Sequence, residues 1–377
     1  MTGPRVSTGP IRVAVVGLGW AARSIWLPRL LAHPAFTVAT VVDPDPLARA
    51  SAARDGLRSL ARYEDLRPDE IDLAVVAVPN HLHTPVACGL LRNGISVFVE
   101  KPVCLDSAEV EDLAAAERAT SATLLAGSAS RHRADMRVLY GLADTIGRVR
   151  HVDVSWVRAR GIPDAGGWFT DRRFSGGGAL VDLGWHLLDA VGPFVGTARF
   201  DHVLGTASRD FINAGSWRAS WRADDEPDQH VTVNGSVDGD VEDTARAFLV
   251  AENGVSVSLC ARWASHEPCD TTTVTIEGTT GAATLNCTFG FSPNRAGNPV
   301  VTHTRDGDTM VLPVPEEPIG AEYDRQLDEL PALLAEQRVR PDTIDNVRGT
   351  VAVVERIYES AGLRRDARRP VGVASVE

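Results

Sequence analysis

The strongest constraint on this chain lies near its start. Ile11 to Val16 is a short apolar run rich in β-branched residues, and it leads straight into Gly17-Leu-Gly-Trp-Ala-Ala22 and a helical stretch to about Ala32. A second run, Phe36 to Val42, ends in Asp43, and further strands are expected at 73–78, 95–99 and 123–126, with helices near 81–93 and 106–119 between them. Strands separated by helices of this length imply a parallel, doubly wound α/β sheet.

Gly17-x-Gly19-x-x-Ala22 is the G-x-G-x-x-A form of the dinucleotide fingerprint. Gly17 permits the tight turn, Gly19 lets the backbone approach a pyrophosphate, and Ala22 lets the helix pack near the strand; the free N–H groups at the helix start favour an anion. Leu18, Trp20 and Ala21 complete a loop expected to touch the cofactor. Asp43, 24 residues after Gly19, suits the adenine-ribose hydroxyls. Pro44-Asp45-Pro46 adds a second negative charge and no adjacent arginine, and Arg49 and Arg54 are expected to face solvent, so NAD is expected in preference to NADP. Ligands bind beyond the carboxyl ends of such strands, so the loop from Val78 to His83 should face the cofactor. His81 and His83 at i, i+2 with no third ligand make a poor metal site, and no metal is expected.

Lys101 is the single lysine among 38 cationic residues. Arginine stays charged at any working pH, whereas a desolvated lysine can exchange its proton, so the position is read as catalytic. After about Ser130 the texture changes. A helix is expected over 131–145, then strands with period-two alternation at 148–160, 231–237, 245–251, 255–264, 272–277 and 282–287, and two helices near 320–337 and 341–361. Hairpin-type loops such as Glu252-Asn253-Gly254 argue for an antiparallel sheet. In Ser175-Gly-Gly-Gly-Ala-Leu-Val-Asp-Leu-Gly-Trp-His-Leu-Leu-Asp189, the i, i+4 and i, i+7 spacing puts Asp182, His186 and Asp189 on one face of a helix apolar nearly all round. Such a stripe is buried and must have partners, either as a structural pair or as an active site; with Lys101 nearby the second is expected.

Length suggests two domains: a loose arm over 1–10, a dinucleotide domain over 11–130, and a substrate and oligomerisation domain over 131–377. Net charge is −12, which argues against nucleic acid or a membrane surface as partner. Five scattered cysteines, with no C-x-x-C pair, read as reduced thiols, and the polar start is unlike a signal peptide, so a cytoplasmic protein is expected.

Taken jointly, Gly17-Leu-Gly-Trp-Ala-Ala22, Pro79-Asn80-x-x-His83, Glu100-Lys101-Pro102 and Gly178-x-x-x-Asp182-x-Gly184-x-His186 resemble the glucose–fructose oxidoreductase / inositol dehydrogenase family, over nearly the whole chain. The resemblance implies a Rossmann domain joined to an α/β domain with a large, open, mostly antiparallel sheet that packs against another subunit, hence a homo-oligomer, dimer or tetramer. It implies reversible oxidation of a secondary alcohol on a sugar or cyclitol. Lys101, Asp182 and His186 fall on positions that bind and deprotonate the reacting hydroxyl; Gly17, Gly19, Asp43, Pro79, Asn80, His83 and Glu100 fall on cofactor positions, which Lys101 adjoins. Arg131 matches an arginine common where the chain leaves the first domain, and is placed with the cofactor set. Trp168 matches an aromatic near nicotinamide and substrate; Arg160 is placed with it as a substrate contact. Bulky Trp20 is expected to reshape the pocket floor, and the segment 216–228 is unexplained by the resemblance.

His186 is preferred as general base, with Asp182 holding its tautomer or contacting substrate and Lys101 stabilising alkoxide charge; the alternative exchanges Lys101 and His186. Acids at 164, 171, 224–226 and 228, interspersed with Trp168, Trp217 and Trp221, suggest a cationic amino sugar or aminocyclitol of an aminoglycoside pathway. An NAD-dependent glycosidase and a non-catalytic NAD-binding regulator are the competing readings.

Overall fold

The computed structural model describes residues 9–163, 167–196, 199–214, 217–219, 239–335 and 342–363. The expected strand 231–237 and most of the arm and of the 216–228 segment lie outside them. Six parallel strands, β1 (Ile11–Val16), β2 (Phe36–Val42), β3 (Ser59–Leu60), β4 (Leu73–Val76), β5 (Ser96–Val99) and β6 (Leu124–Ala126), form the first sheet in the order β3-β2-β1-β4-β5-β6. β4 and β5 are buried at every position, as strands covered on both faces must be. The order reverses between β1 and β4, which opens a crevice beyond their carboxyl ends.

The second sheet has eight strands: β7 (Val149–Val157), β8 (Phe200–Ser208), β9 (Thr244–Ala251), β10 (Ser256–Arg262), β11 (Thr271–Gly278), β12 (Ala282–Cys287), β13 (Val300–Arg305) and β14 (Asp308–Leu312). Their order is β14-β13-β12-β11-β7-β10-β9-β8; β7 and β10 run parallel and every other neighbouring pair is antiparallel. Val152, Val154 and Trp156 of β7 and Val274 and Ile276 of β11 point to one face, beneath the helix Trp185–Val195. The other face stays partly open: Leu204 and Phe248, cross-strand neighbours on β8 and β9, are exposed.

The expected helix 131–145 is instead a 3-10 turn over Ala129–His132 and two short helices, Ala134–Tyr140 and Ala143–Ile146, broken at Gly141 and Leu142. The last two helices, Ala321–Ala335 and Asp342–Ser360, do not belong to the second sheet alone. Leu327 and Leu330 pack with Val13, Val15 and Phe98 of the first sheet. Val347 and Val351 join the first domain's other core, whereas Val354, Ile357 and Tyr358 join the second domain's. At Gly205 on β8 the last helix comes so close that an added Cβ would lie 2.7 Å from the Ile357 carbonyl oxygen. Ile357 is fully buried, so Ile357→Ala is expected to lower the unfolding free energy by about 2–5 kcal/mol, read from urea denaturation.

Candidate active site

The glycine loop shows what the fingerprint demands. Gly17 has φ of 91° and donates its N–H to the Val42 carbonyl; a Cβ there would lie 2.6 Å from the Ala77 carbonyl oxygen. A Cβ on Gly19 would meet nothing within 4 Å, so its backbone borders open space. Asp43 accepts from the N–H of Leu18 and of Asp45, both at 2.8 Å, which fixes the carboxylate beside the loop and leaves lone pairs for sugar hydroxyls. A turn of π-helix, Ala22–Trp26, follows and buries Ala22. These features fit a dinucleotide.

Three residues around the crevice make contacts that the expectations did not include. Arg49, half-exposed, folds back on the backbone: its Nη1 donates to the carbonyls of Asp43 and Pro44, both at 2.7 Å, because carbonyls at the end of a strand lack other donors. Trp20 packs edge-on against Phe291, 5.5 Å between centroids, with Phe291 stacked on Tyr323, so the bulky ring seals a seam between domains. His83 is buried, with Nδ1 2.7 Å from the Pro102 oxygen and Nε2 2.8 Å from the Val78 oxygen. Burial pulls its pKa to about 4, and a neutral ring has one N–H to share between them. It braces the loops after β4 and β5 and has no polar atom left for a cofactor.

Pro79 opens the turn Asn80–Leu82, and Asn80 donates to the Ser175 carbonyl at 2.9 Å, tying this loop to the second domain. At the end of β5, Glu100 accepts from the Trp26 indole at 2.7 Å and from the Lys101 N–H at 2.9 Å. Burial pushes its carboxyl up, against the opposing pull of Lys101.

Lys101 Nζ donates to Asp182 Oδ1 at 2.6 Å. Asp182 Oδ2 accepts from the Trp263 indole at 2.9 Å and lies 3.9 Å from Arg158 Nη1. Burial alone would push this carboxyl up, yet Lys101, Arg158 and the two donated bonds hold it well below the usual range. His186 bonds neither: its Nδ1 lies 3.1 Å from Ser130 Oγ and its ring 5.7 Å from that of Trp156. Burial, Lys101 and Arg158 pull its pKa to about 3, so the imidazole is neutral. Both cations and Asp182 are thus close enough to act on it.

Asp182, His186 and Asp189 all reach toward the first domain: Asp182 to Lys101, His186 to Ser130 and Asp189 to Arg131. Leu180–Gly184, which carries Asp182, is a π-helical turn ahead of the helix Trp185–Val195. The turn is held from below by Glu242, which accepts from the N–H groups of Gly178 and Leu180 at 3.0 Å and from the Tyr358 hydroxyl at 2.8 Å. A Cβ on Gly177 would strike that hydroxyl, and one on Gly178 the Glu242 carbonyl, which explains the glycine run.

Arg131 pairs with Asp189 at 2.8 Å and donates to its carbonyl, so it braces the helix. Trp168 reaches the site through neighbours: it packs on Phe169, which lies 6.1 Å from Trp263. Arg160 is exposed, over the Trp217 ring. Of the acids that suggested a cationic substrate, only Asp171 is described, and Arg173 occupies its carboxylate.

A dinucleotide crevice facing a half-buried Lys–Asp pair and a neutral histidine defines an oxidoreductase of the Rossmann class. The family description "Oxidoreductase family, NAD-binding Rossmann fold" (GFO_IDH_MocA) matches residues 11–128, and the family's C-terminal domain matches residues 142–284. The chain belongs to the GFO/IDH/MocA oxidoreductases. It is 52% identical over 356 residues, 94% of this chain and 97% of the relative, to a protein of Amycolatopsis mediterranei named "Putative UDP-kanosamine synthase oxidoreductase subunit". The fold matches GenD2 from gentamicin A biosynthesis in complex with NAD, TM-score 0.72 at 24% identity, covering 96% of this chain and 97% of the other. It equally matches KijD10, a 3-ketoreductase from Actinomadura kijaniata in complex with NADP and TDP-benzene, TM-score 0.72 at 21% identity, covering 93% and 98%.

Sequence reasoning missed Ser130, Trp263, Arg158, Trp26 and Glu242. Trp263 had one signal, a tryptophan ending an alternating strand. For Gly19→Ala we expect an unchanged melting temperature and dinucleotide affinity lowered about tenfold or more, because the methyl fills only the space a pyrophosphate needs; titration calorimetry beside thermal melting checks both.

Proposed function

We propose that this protein is an NAD-dependent dehydrogenase that interconverts a secondary hydroxyl and a ketone on the hexose of a nucleotide-linked sugar, at ring carbon 3, in the making of an amino-sugar-containing antibiotic. The observation that carries the reading is the 2.6 Å contact between Lys101 and Asp182 beside neutral His186, just beyond the carboxyl end of β5. The relative named for a UDP-linked amino sugar supports the substrate class, and the 3-ketoreductase title of KijD10 supports the position. NAD rather than NADP is supported by the fixed Asp43 carboxylate, with Arg49 committed to two carbonyls.

A bound nicotinamide supplies the two-electron acceptor. Gly17, Leu18, Gly19, Trp20, Ala21 and Asp43 would hold the dinucleotide at its phosphate and ribose end, while Pro79, Asn80 and Glu100 shape the loops under its reactive end. In the oxidising direction Lys101, as the neutral amine, takes the proton of the substrate hydroxyl and becomes the ammonium; in the reducing direction that ammonium returns the proton to the substrate oxygen. Ser130 supports Lys101 over His186 in this role. Its hydroxyl is buried with no second acceptor among the described residues, and an orphaned buried donor costs about 1–3 kcal/mol. The hydroxyl therefore donates to Nδ1, which leaves the ring proton on Nε2 (a difference worth roughly tenfold in tautomer population). His186 thus donates to the substrate oxygen instead of removing its proton, and Ser130, not Asp182, sets its tautomer. Asp182 holds the Lys101 ammonium in place.

The open face of the second sheet, with Leu204 and Phe248 exposed, is taken as the surface on which a second copy docks. Five free cysteines suit a reducing cytoplasm.

Mixing the protein with NAD and UDP-glucose should raise absorbance at the NADH band; release of a leaving group without NADH would favour a glycosidase. Lys101→Met should lower kcat on the order of 10²–10⁴-fold; near-native turnover would overturn the assignment. With His186 titrating near 3, the pH–rate profile should show no inflection at the ordinary histidine value. In ¹⁵N spectra, His186 should carry its proton on Nε2, and Ser130→Ala should dilute that preference; a proton on Nδ1 in the native protein would return His186 to the role of base.

A further inference from the structure

Beyond the carboxyl ends of β7 and β10 the chain builds a half-exposed aromatic cluster. Phe211, Trp217 and His266 meet edge to face, with centroids 4.7 Å (Phe211–Trp217), 5.3 Å (Trp217–His266) and 5.7 Å (Phe211–His266) apart. The Arg160 guanidinium lies over Trp217, 5.5 Å from its centroid, and has no carboxylate partner among the described residues. The cluster is pinned to the site from below. Buried Asp243 accepts from Phe211 and Ile212 N–H groups at 2.6 and 2.9 Å, and its own carbonyl takes the Trp263 N–H at 2.8 Å. Trp263 is the residue whose indole bonds Asp182. Ile162, two residues past Arg160, exchanges backbone bonds with Trp217 and Ala219, and Arg160 itself bridges to Ala264, next to Trp263. The cluster is therefore tied to the Lys101–Asp182 pair through Asp243 and Trp263.

Its chemistry is that of an anion with a planar ring attached. The protein as a whole carries −12; the cluster nevertheless carries the exposed Arg160 guanidinium, while the carboxylates of Asp182 and Asp243 are taken up by the donors around them. An exposed guanidinium draws anionic ligands and repels cationic ones. A guanidinium fork binds phosphate oxygens in pairs, and aromatic rings accept a nucleobase face without regard to its sequence identity.

We propose that Arg160, Phe211, Trp217 and His266 form the subsite for the nucleoside diphosphate half of the substrate, with the diphosphate on Arg160 and the base against the rings. The proposal rests on the redox reading above for the other half of the molecule, and it turns the expected substrate from a cation into an anion.

The test is titration of the NAD-loaded protein with UDP alone, in wild type, Arg160→Gln and Trp217→Ala, with melting temperatures recorded for each. UDP should bind the wild type, and each variant should weaken it about tenfold or more, the loss of one charge-assisted contact. Added salt should weaken the wild type more than Arg160→Gln. Should Trp217→Ala fail to fold, Arg160→Gln, an exposed change, decides alone. Equal UDP affinity in wild type and Arg160→Gln, or no UDP binding at all, would overturn the subsite. UDP binding with the expected losses in a protein that reduces NAD with no sugar keeps the subsite and removes the redox reading. NADH formed from free hexoses by a protein blind to UDP does the reverse.

Discussion

The ion pair between Lys101 and Asp182 governs the arrangement of everything around it. Lys101 follows β5 of the first domain and Asp182 lies in the π-helical turn of the second, so the two charges are satisfied only when the domains sit together as they do. Removing one charge from such a pair leaves the other uncompensated, at a cost of about 3–5 kcal/mol. The surroundings answer that cost: Trp263 and Arg158 attend the second carboxylate oxygen, and Glu100, itself held by Trp26, lies one residue before the ammonium. The pair is thereby both a lock between domains and a preset arrangement of charge beside a substrate oxygen.

Around this lock the seam is aromatic. Phe98 of β5 meets Trp26 edge to face, Trp26 meets Tyr323, Tyr323 stacks on Phe291, and Phe291 receives the edge of Trp20 from the glycine loop. The phosphate-binding end of the crevice and the carboxylate beneath Lys101 are thus joined through one continuous set of rings, contributed by β5, the first helix, the helix Ala321–Ala335 and the loop after β12. Rigid rings with few rotatable bonds suit a seam that must keep two half-sites in register.

Much of this was legible from local pattern. The glycine loop, Asp43 and the alternation of strands and helices speak through spacing of a few residues, and the sole lysine through its rarity. Strands β8, β13 and β14 were not foreseen, because β8 and β14 are edge strands and β14 buries almost nothing, so no alternation marks it. The spacing of Asp182, His186 and Asp189 drew attention to their segment, but nothing in it announces the π-helical turn at Leu180–Gly184. Ser130, Trp263 and Glu242 reach the site across 56, 81 and more than 60 residues of chain, and only the packed topology brings such residues together. Arg49 folded back onto two terminal carbonyls that lacked a donor, a demand of geometry that composition does not reveal.

Glu242 has a consequence of another kind. Its carboxylate steadies the turn that aims Asp182, and one of its own partners is the hydroxyl of Tyr358, near the end of the last described helix. As the polypeptide emerges from the ribosome, every strand of both sheets is made before that hydroxyl exists. The pocket's final shape is therefore a late event of biogenesis, and a nascent chain can hold all its sheet-forming residues while its chemistry is still unassembled.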